Sequence, residues 1–237
     1  MLELWLTRHG ETEYNTNGVV QGIVNSNLTE RGAADAQALG RGFAAKHITF
    51  DAAYASDLQR AVDTAEIALR AADIDLPVNK LPGLREQNFG MFDGQPETQR
   101  QGALAKMLAD AGVANVDSLN MLQMVNLVRI LDIHGGKGTA ESSKMSLKRF
   151  NAAIQQIGRT AEQNDQQRVF IVAHGAIIWL WLNSLGMPAD AGFIKNVAVS
   201  RILFNDGKCT ILSMNDRQYV EAGGGTKNIP TQEFKLD

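Results

Sequence analysis

The sequence predicts a three-layer α/β sandwich, with a mostly parallel central sheet flanked by helices and a helical cap inserted beside it. Three observations carry this reading. Short apolar runs of strand length alternate with longer segments whose apolar residues recur at helical spacing, the pattern of strands joined by helical crossovers. Val169 to Ala173 is apolar at every position, as a strand covered on both faces must be. No repeat, low-complexity tract or Pro/Ser-rich linker interrupts the 237 residues. One domain over 1–237 is therefore expected, long enough to bury roughly 70–75% of its unfolded surface.

Taken in order, Leu2 to Thr7 is the first buried strand, ending at Arg8-His9. Thr29 is an N-cap for a helix to about Lys46, with Ala33, Ala36, Leu39, Phe43 and Ala44 on its apolar face. Phe50 to Ala55 is a short strand, and Asp57 to Ala72 a helix. Pro77 and Pro82 hold the stretch to Leu84 extended or turning. Gln95 to Ile133 is helical with a break at Gly112 to Asn115; together with the Gly135-Gly136-Lys137-Gly138 loop it forms the expected cap, 95–138. A helix from about Ala140 to Gln163 precedes the Val169–Ala173 strand, and another follows to about Leu185. Ala198–Phe204 and Cys209–Met214 flank Asn205-Asp206-Gly207-Lys208, a hairpin signal. The glycine-rich tail, 221–237, is expected to be mobile.

Composition narrows the function classes. A net charge of −3 argues against general nucleic-acid binding, so attraction for an anion has to come from locally placed cations. A single cysteine, Cys209, excludes an internal disulfide. The N-terminus has neither the basic nor the long apolar region of a signal peptide, and the longest apolar run, Ala176 to Leu182, is too short for a bilayer. A cytoplasmic protein without membrane contact is expected.

In open parallel sheets, ligands bind beyond the carboxyl ends of the strands. Two predicted strands end there in histidine followed by glycine, His9-Gly10 and His174-Gly175. Arg8 beside His9 supplies a fork of donors for phosphate oxygens and opposes protonation of the imidazole. A structural histidine at a strand end explains the pair equally well on local grounds. Arg60 stands in the first turn of a helix, where the dipole already favours an anion; phosphate contact or a solvated face would each account for it. Glu86, between a proline-bounded segment and glycine-rich turns, is placed to overhang a pocket as a proton donor, or simply to pair with Arg85. His174 opens a helix, so ring and helix N-terminus could meet one anion.

Together these segments resemble the histidine phosphatase (phosphoglycerate mutase-like) superfamily over nearly the whole chain. The matching motifs are Arg8-His9-Gly10-Glu11-Thr12, then Gln21-Gly22 with Leu28-Thr29-Glu30-Arg31-Gly32, Ser56-Asp57-Leu58-Gln59-Arg60-Ala61, Leu84-Arg85-Glu86 with Phe89-Gly90, Glu141-Ser142, and Ala173-His174-Gly175. Asn25 and Asn27 stand where Asp and Pro are usual, and Trp179 where the phosphatases often carry Arg. The resemblance implies that His9 becomes phosphorylated and that Arg8, Arg60 and His174 clamp the phosphoryl oxygens. Asn15, Gln21, Gly22 and Gly175 would assist, with Glu86 protonating the leaving group. It implies no metal.

Three functions compete: a phosphomonoesterase acting on a small phosphorylated metabolite, a 2,3-bisphosphoglycerate-dependent phosphoglycerate mutase, and a silent phosphate-binding module. The first is favoured over the mutase, for which 2,3-bisphosphoglycerate would be the cofactor. Only Arg100 lies in the segment after Glu86, and Met107 to Leu127 contains no Lys or Arg to hold a highly charged substrate. A binder has no use for Glu86 as an acid. A sheet edge would allow a homodimer, although no residue requires one. His47, His134 and Cys209 show no metal-ligand spacing, the glycine loop lacks the ending of a nucleotide P-loop, and Trp179 and Trp181 suit the core.

Overall fold

The structure is a computed structural model that describes residues 1–112, 119–188 and 191–226. In chain order its elements are β1 (Leu2–Arg8), α1 (Glu13–Thr16), α2 (Glu30–Ala45), β2 (Ala52–Ala55), α3 (Gln59–Ala71), β3 (Val78–Lys80), α4 (Glu97–Asp110), α5 (Met121–His134), α6 (Ser143–Gln163), β4 (Arg168–Ala173), α7 (Gly175–Ser184), β5 (Val199–Asn205), β6 (Lys208–Asp216) and α8 (Gln218–Ala222). Single 3₁₀ turns at Pro82–Leu84 and Gly90–Phe92 flank the Glu86 segment.

Six strands form one sheet in the order β3-β2-β4-β1-β5-β6. The first four are parallel; β5 runs antiparallel to β1, and β6 to β5. Asp206 and Gly207 both take positive φ, the geometry of the two-residue hairpin that their sequence predicted.

Alternate residues of the central strands serve opposite layers. Leu4, Leu6, Val169 and Ile171 pack with Phe150, Ile154 and Ile157 of α6 and with Ile177 and Trp181 of α7. Trp5, Phe170 and Val172 pack with Leu39 and Phe43 of α2, Val62 and Leu69 of α3, and Tyr219 of α8. Each such buried side chain contributes roughly 1.5–3 kcal/mol relative to exposure, so the strand ends rest on the most strongly held part of the molecule. A third cluster joins Val20, Phe89 and Phe92 to Leu104 of α4, Val125 and Val128 of α5, and Leu180 of α7. That cluster seats the two cap helices against the start of α7.

Element boundaries differ from expectation where side chains cap the helices. The helix after Ser56 begins at Gln59, because the Ser56 hydroxyl accepts the Leu58 N–H and Asn25 Oδ1 accepts the Gln59 N–H (3.1 Å). Ser142 caps α6, which starts there and not at Ala140. Of the cap break expected at Gly112 to Asn115, only Gly112 lies within the described residues. The tail departs from the expected mobile segment at its start. Ala222 closes α8, Arg41 Nε donates to the Gly223 carbonyl (2.9 Å), and the Thr226 hydroxyl donates to the Asp35 carboxylate (2.8 Å). Residues 227–237 lie outside the described residues. Among those described, no helix is long and apolar enough to cross a membrane.

Candidate active site

The two histidines meet because their strands are neighbours in register. β1 and β4 pair so that Arg8 lies opposite Ala173, and the His9 N–H donates to the Ala173 carbonyl (3.0 Å). One residue further on, the imidazoles of His9 and His174 stand 5.2 Å apart between centroids. His9 is 3% exposed and His174 fully buried. His9 Nδ1 lies 2.7 Å from the Gly10 carbonyl oxygen. A carbonyl can only accept, so Nδ1 carries the hydrogen and Nε2 keeps the lone pair. Desolvation, then Arg60 and Arg8, hold the His9 pKa well below its ordinary value of 6.5. The result is a neutral imidazole with one nucleophilic nitrogen.

Backbone bonds from both sides fix this loop. The Gly10 N–H donates to Thr64 Oγ1 (2.9 Å), whose hydroxyl donates to the Arg60 carbonyl (2.7 Å). Asn196 Nδ2 donates to the His9 carbonyl (2.9 Å), and the Val197 N–H to that of Arg8 (3.0 Å). Val197 is β-branched yet holds φ at 49°, a strained conformation of the kind that clusters at functional sites. Thr64, Asn196 and Val197 had no part in the sequence-based site. Each acts through backbone contacts that no local pattern announces.

The arginines frame the histidines. Arg8 Nη1 donates to the Ile194 carbonyl (2.7 Å). Gly175 lets it lie close: a Cβ there would come within 3.0 Å of Arg8 Nε. Arg60 is fully buried, its Nη1 and Nη2 donating to the carbonyls of Val24 and Gly22 (2.7 Å each). Desolvation lowers both guanidinium pKa values to about 10, opposed by the nearby charge of Glu86. Nε of Arg8, Nε of Arg60 and both ring nitrogens of His174 are buried without a partner among the described residues. These unpartnered groups are available to an acceptor from outside the chain. His174 is kept well below the ordinary imidazole pKa by desolvation first, then by Arg60, His9, Arg8 and Arg149. The neutral ring is thus favoured, and it has one N–H to give.

Glu86 is where the structure departs most from expectation. Its carboxylate occupies the N-terminus of α7, which the sequence had suggested for the same anion as His174. Oε1 accepts from the N–H groups of Gln87 and Ile177 (2.8 Å each), and Oε2 from that of Ala176 (2.9 Å). An anionic side chain at a helix N-terminus satisfies donors that the helix itself leaves open. Oε2 accepts one backbone N–H against two for Oε1, so it is the oxygen with a lone pair left over.

The remaining predicted residues divide between contact and support. Gln21 Oε1 accepts the Thr12 hydroxyl (2.8 Å), while its buried Nε2 has no partner among the described residues. Asn15 Oδ1 closes the capping box of α1 with Thr12. Gly22 has a different part from the phosphate contact expected of it: its N–H donates to Asp93 Oδ1 (3.0 Å), and a Cβ would lie 2.2 Å from that oxygen. Asp93, absent from the sequence-based site, also accepts from Ile23, and burial pushes its pKa up to about 6. With Arg60 on its carbonyls and Asp93 on its N–H groups, the Gly22–Val24 loop is held from both sides.

The chain matches the histidine phosphatase superfamily (branch 1) over residues 4–119 and 129–217. It belongs to this superfamily. Among histidine phosphatases, it is 30% identical over 220 residues to adenosylcobalamin/alpha-ribazole phosphatase of Escherichia coli (strain K12), covering 91% of this chain and 97% of that protein. It is 28% identical over 222 residues to metal-independent phosphoserine phosphatase of Arabidopsis thaliana, covering 94% and 84%. The crystal structure of phosphoglycerate mutase from Bacillus anthracis str. Sterne superposes with a TM-score of 0.86 at 31% identity, covering 94% and 96%. A phosphoryl-transfer enzyme of this superfamily is the common content of these likenesses.

Proposed function

We propose that this histidine phosphatase is a phosphomonoesterase that hydrolyses a small phosphate ester through a phosphohistidine at His9. The observation that carries the reading is the set of buried, unpartnered groups, Arg8 Nε, Arg60 Nε and the His174 ring, on the residues that flank a neutral, tautomer-fixed imidazole. A phosphoryl group supplies the acceptors these donors lack and the electrophile that the imidazole lacks.

In the first step His9 Nε2 attacks phosphorus and the N–P bond forms as the P–O ester bond breaks. The leaving oxygen takes the proton from Glu86 Oε2. In the second step water bonds to phosphorus, gives its proton to Glu86, and the N–P bond breaks to release inorganic phosphate and restore His9. Arg8 and Arg60 neutralise the charge that builds on the equatorial oxygens, so the scheme needs no metal ion.

Charge pairing supports hydrolysis over mutase action. Arg100, the cation in the segment after Glu86, is paired with Glu97 in a setting that leaves each side chain 11% exposed, and it stacks 5.3 Å from the Phe89 ring. It is therefore poorly placed to serve a second anionic group. The two phosphatases resemble this chain over almost its whole length. The mutase reading is supported by the superposition on the Bacillus anthracis enzyme and by 37% identity over 92 residues, 38% of this chain, to a 2,3-bisphosphoglycerate-dependent phosphoglycerate mutase of Beijerinckia indica subsp. indica.

Phosphate release from a panel of phosphomonoesters decides between them, with 3-phosphoglycerate included with and without 2,3-bisphosphoglycerate. Release from several esters, without bisphosphoglycerate-dependent isomerisation in an enolase-coupled assay, is expected. Strong isomerisation with little release would overturn the choice.

A further inference from the structure

Arg149 lies on α6, outside the site motifs and eight residues after Glu141, and its guanidinium is saturated. Nε donates to Glu141 Oε1 (2.8 Å) and Nη2 to Glu141 Oε2 (2.7 Å), a bidentate pair. The three other N–H groups go to carbonyls just before Glu86 and at Glu86 itself: Nη1 to Gly83 (2.9 Å) and Arg85 (2.9 Å), Nη2 to Glu86 (3.1 Å). All five donors of the side chain are thereby used.

Glu141 completes the brace downstream. Its Oε2 accepts the Asn88 N–H (3.2 Å), its own N–H donates to the Asn88 carbonyl (2.9 Å), and its carbonyl accepts from Gln87 Nε2 (2.7 Å). The main chain from 83 to 88 is thus held by one ion pair rooted at the start of α6. Its only side-chain product at the site is the Glu86 carboxylate on the N-terminus of α7.

From this geometry we propose that the Arg149–Glu141 pair is a positioning device for the proton donor, setting the height and direction of Glu86 over the leaving oxygen. The proposal rests on the reading of Glu86 as the leaving-group acid. Lysine at 149 keeps the charge but offers a point donor in place of the fork, so it cannot span Glu141 and three carbonyls at once. A misplaced acid matters for an alkoxide leaving group and hardly at all for p-nitrophenolate, which departs without a proton.

The test compares R149K, E86Q and the double variant on glycerol phosphate and p-nitrophenyl phosphate, with inhibition by inorganic phosphate as a measure of the phosphoryl subsite. For R149K we expect kcat on glycerol phosphate to fall about 100-fold, the scale of an ångström-level misplacement. The p-nitrophenyl rate should fall less than about tenfold, with phosphate inhibition unchanged, because the acid term is absent there. The double variant should be no slower than E86Q alone. Equal losses on both esters, weakened phosphate inhibition, or an additional loss in the double variant would overturn the positioning role while leaving Glu86 as the acid. If E86Q itself slows both esters equally, the acid reading fails and this proposal with it. Should R149K not fold by circular dichroism, E141Q, which keeps an acceptor but loses the charge, is read by the same criteria.

Discussion

The proposed nucleophile and the proposed acid of this site, His9 and Glu86, are held in place by different means. His9 sits at the end of a strand whose neighbours are 0–1% exposed core, and its position follows from ladder pairing between β1 and β4. Glu86 sits on an irregular segment between two 3₁₀ turns, held by side chains of α6 and backbone groups of α7 that are remote in the chain. A strand end resists displacement because moving it disrupts the sheet. A braced loop resists only as far as its hydrogen bonds do. In the proposed scheme the attacking atom thus belongs to the sheet, whereas the acid belongs to the adjustable part.

The largest effect should come from H9A, which removes the nucleophile and leaves the scaffold. Turnover should fall by roughly 10⁶-fold, the scale seen when a covalent nucleophile is removed. The acid-labile phosphoprotein trapped from wild type should disappear while the thermal transition stays cooperative. Retained activity would refute the covalent route.

A smaller effect is expected from T64V, which strips the acceptor from the buried Gly10 N–H. An unsatisfied buried donor costs about 1–3 kcal/mol, read from denaturant unfolding. The strand-end region should therefore report its damage mainly as lost stability, whereas R149K should report mainly as lost kcat on alkyl esters. The reverse ordering would erase the distinction between the two regions.

The smallest effect concerns pH. The folded-state pKa of His9 is depressed below 6.5, so the unfolded chain binds more protons than the folded one in the acidic range. Stability should decline as pH falls from 6.5 toward the folded-state value. In contrast, kcat/KM for p-nitrophenyl phosphate, which reports the free nucleophile, should stay level through pH 6.5. A fall centred there would show that the buried arginines do not keep His9 neutral.

The strand–helix alternation, the buried β4 run, the Asp206-Gly207 hairpin and the Arg8, His9, Arg60, Glu86 and His174 constellation were all legible in the residues, because each rests on local patterning or on motif resemblance. Three features were not. Gly22 was expected at the phosphate but packs against Asp93, a contact between residues 71 apart. The N-terminus of α7 was expected to hold the ligand's anion but holds Glu86, since free N–H groups attract whichever carboxylate folding brings near. Arg149 gave no signal, since three of its five bonds go to main-chain carbonyls, which every residue carries, and its pairing with Glu141 follows from no local pattern.

By itself the sequence determined the layers of the sandwich, its strand termini and the set of reactive side chains, since apolar periodicity and residue chemistry are local properties. Only the tertiary structure decided which nitrogen of His9 keeps the lone pair, what anchors Glu86, and which donors are left without a partner among the described residues. Those outcomes depend on hydrogen-bond partners brought together across the fold, and a donor's availability is known only once every other acceptor has been placed.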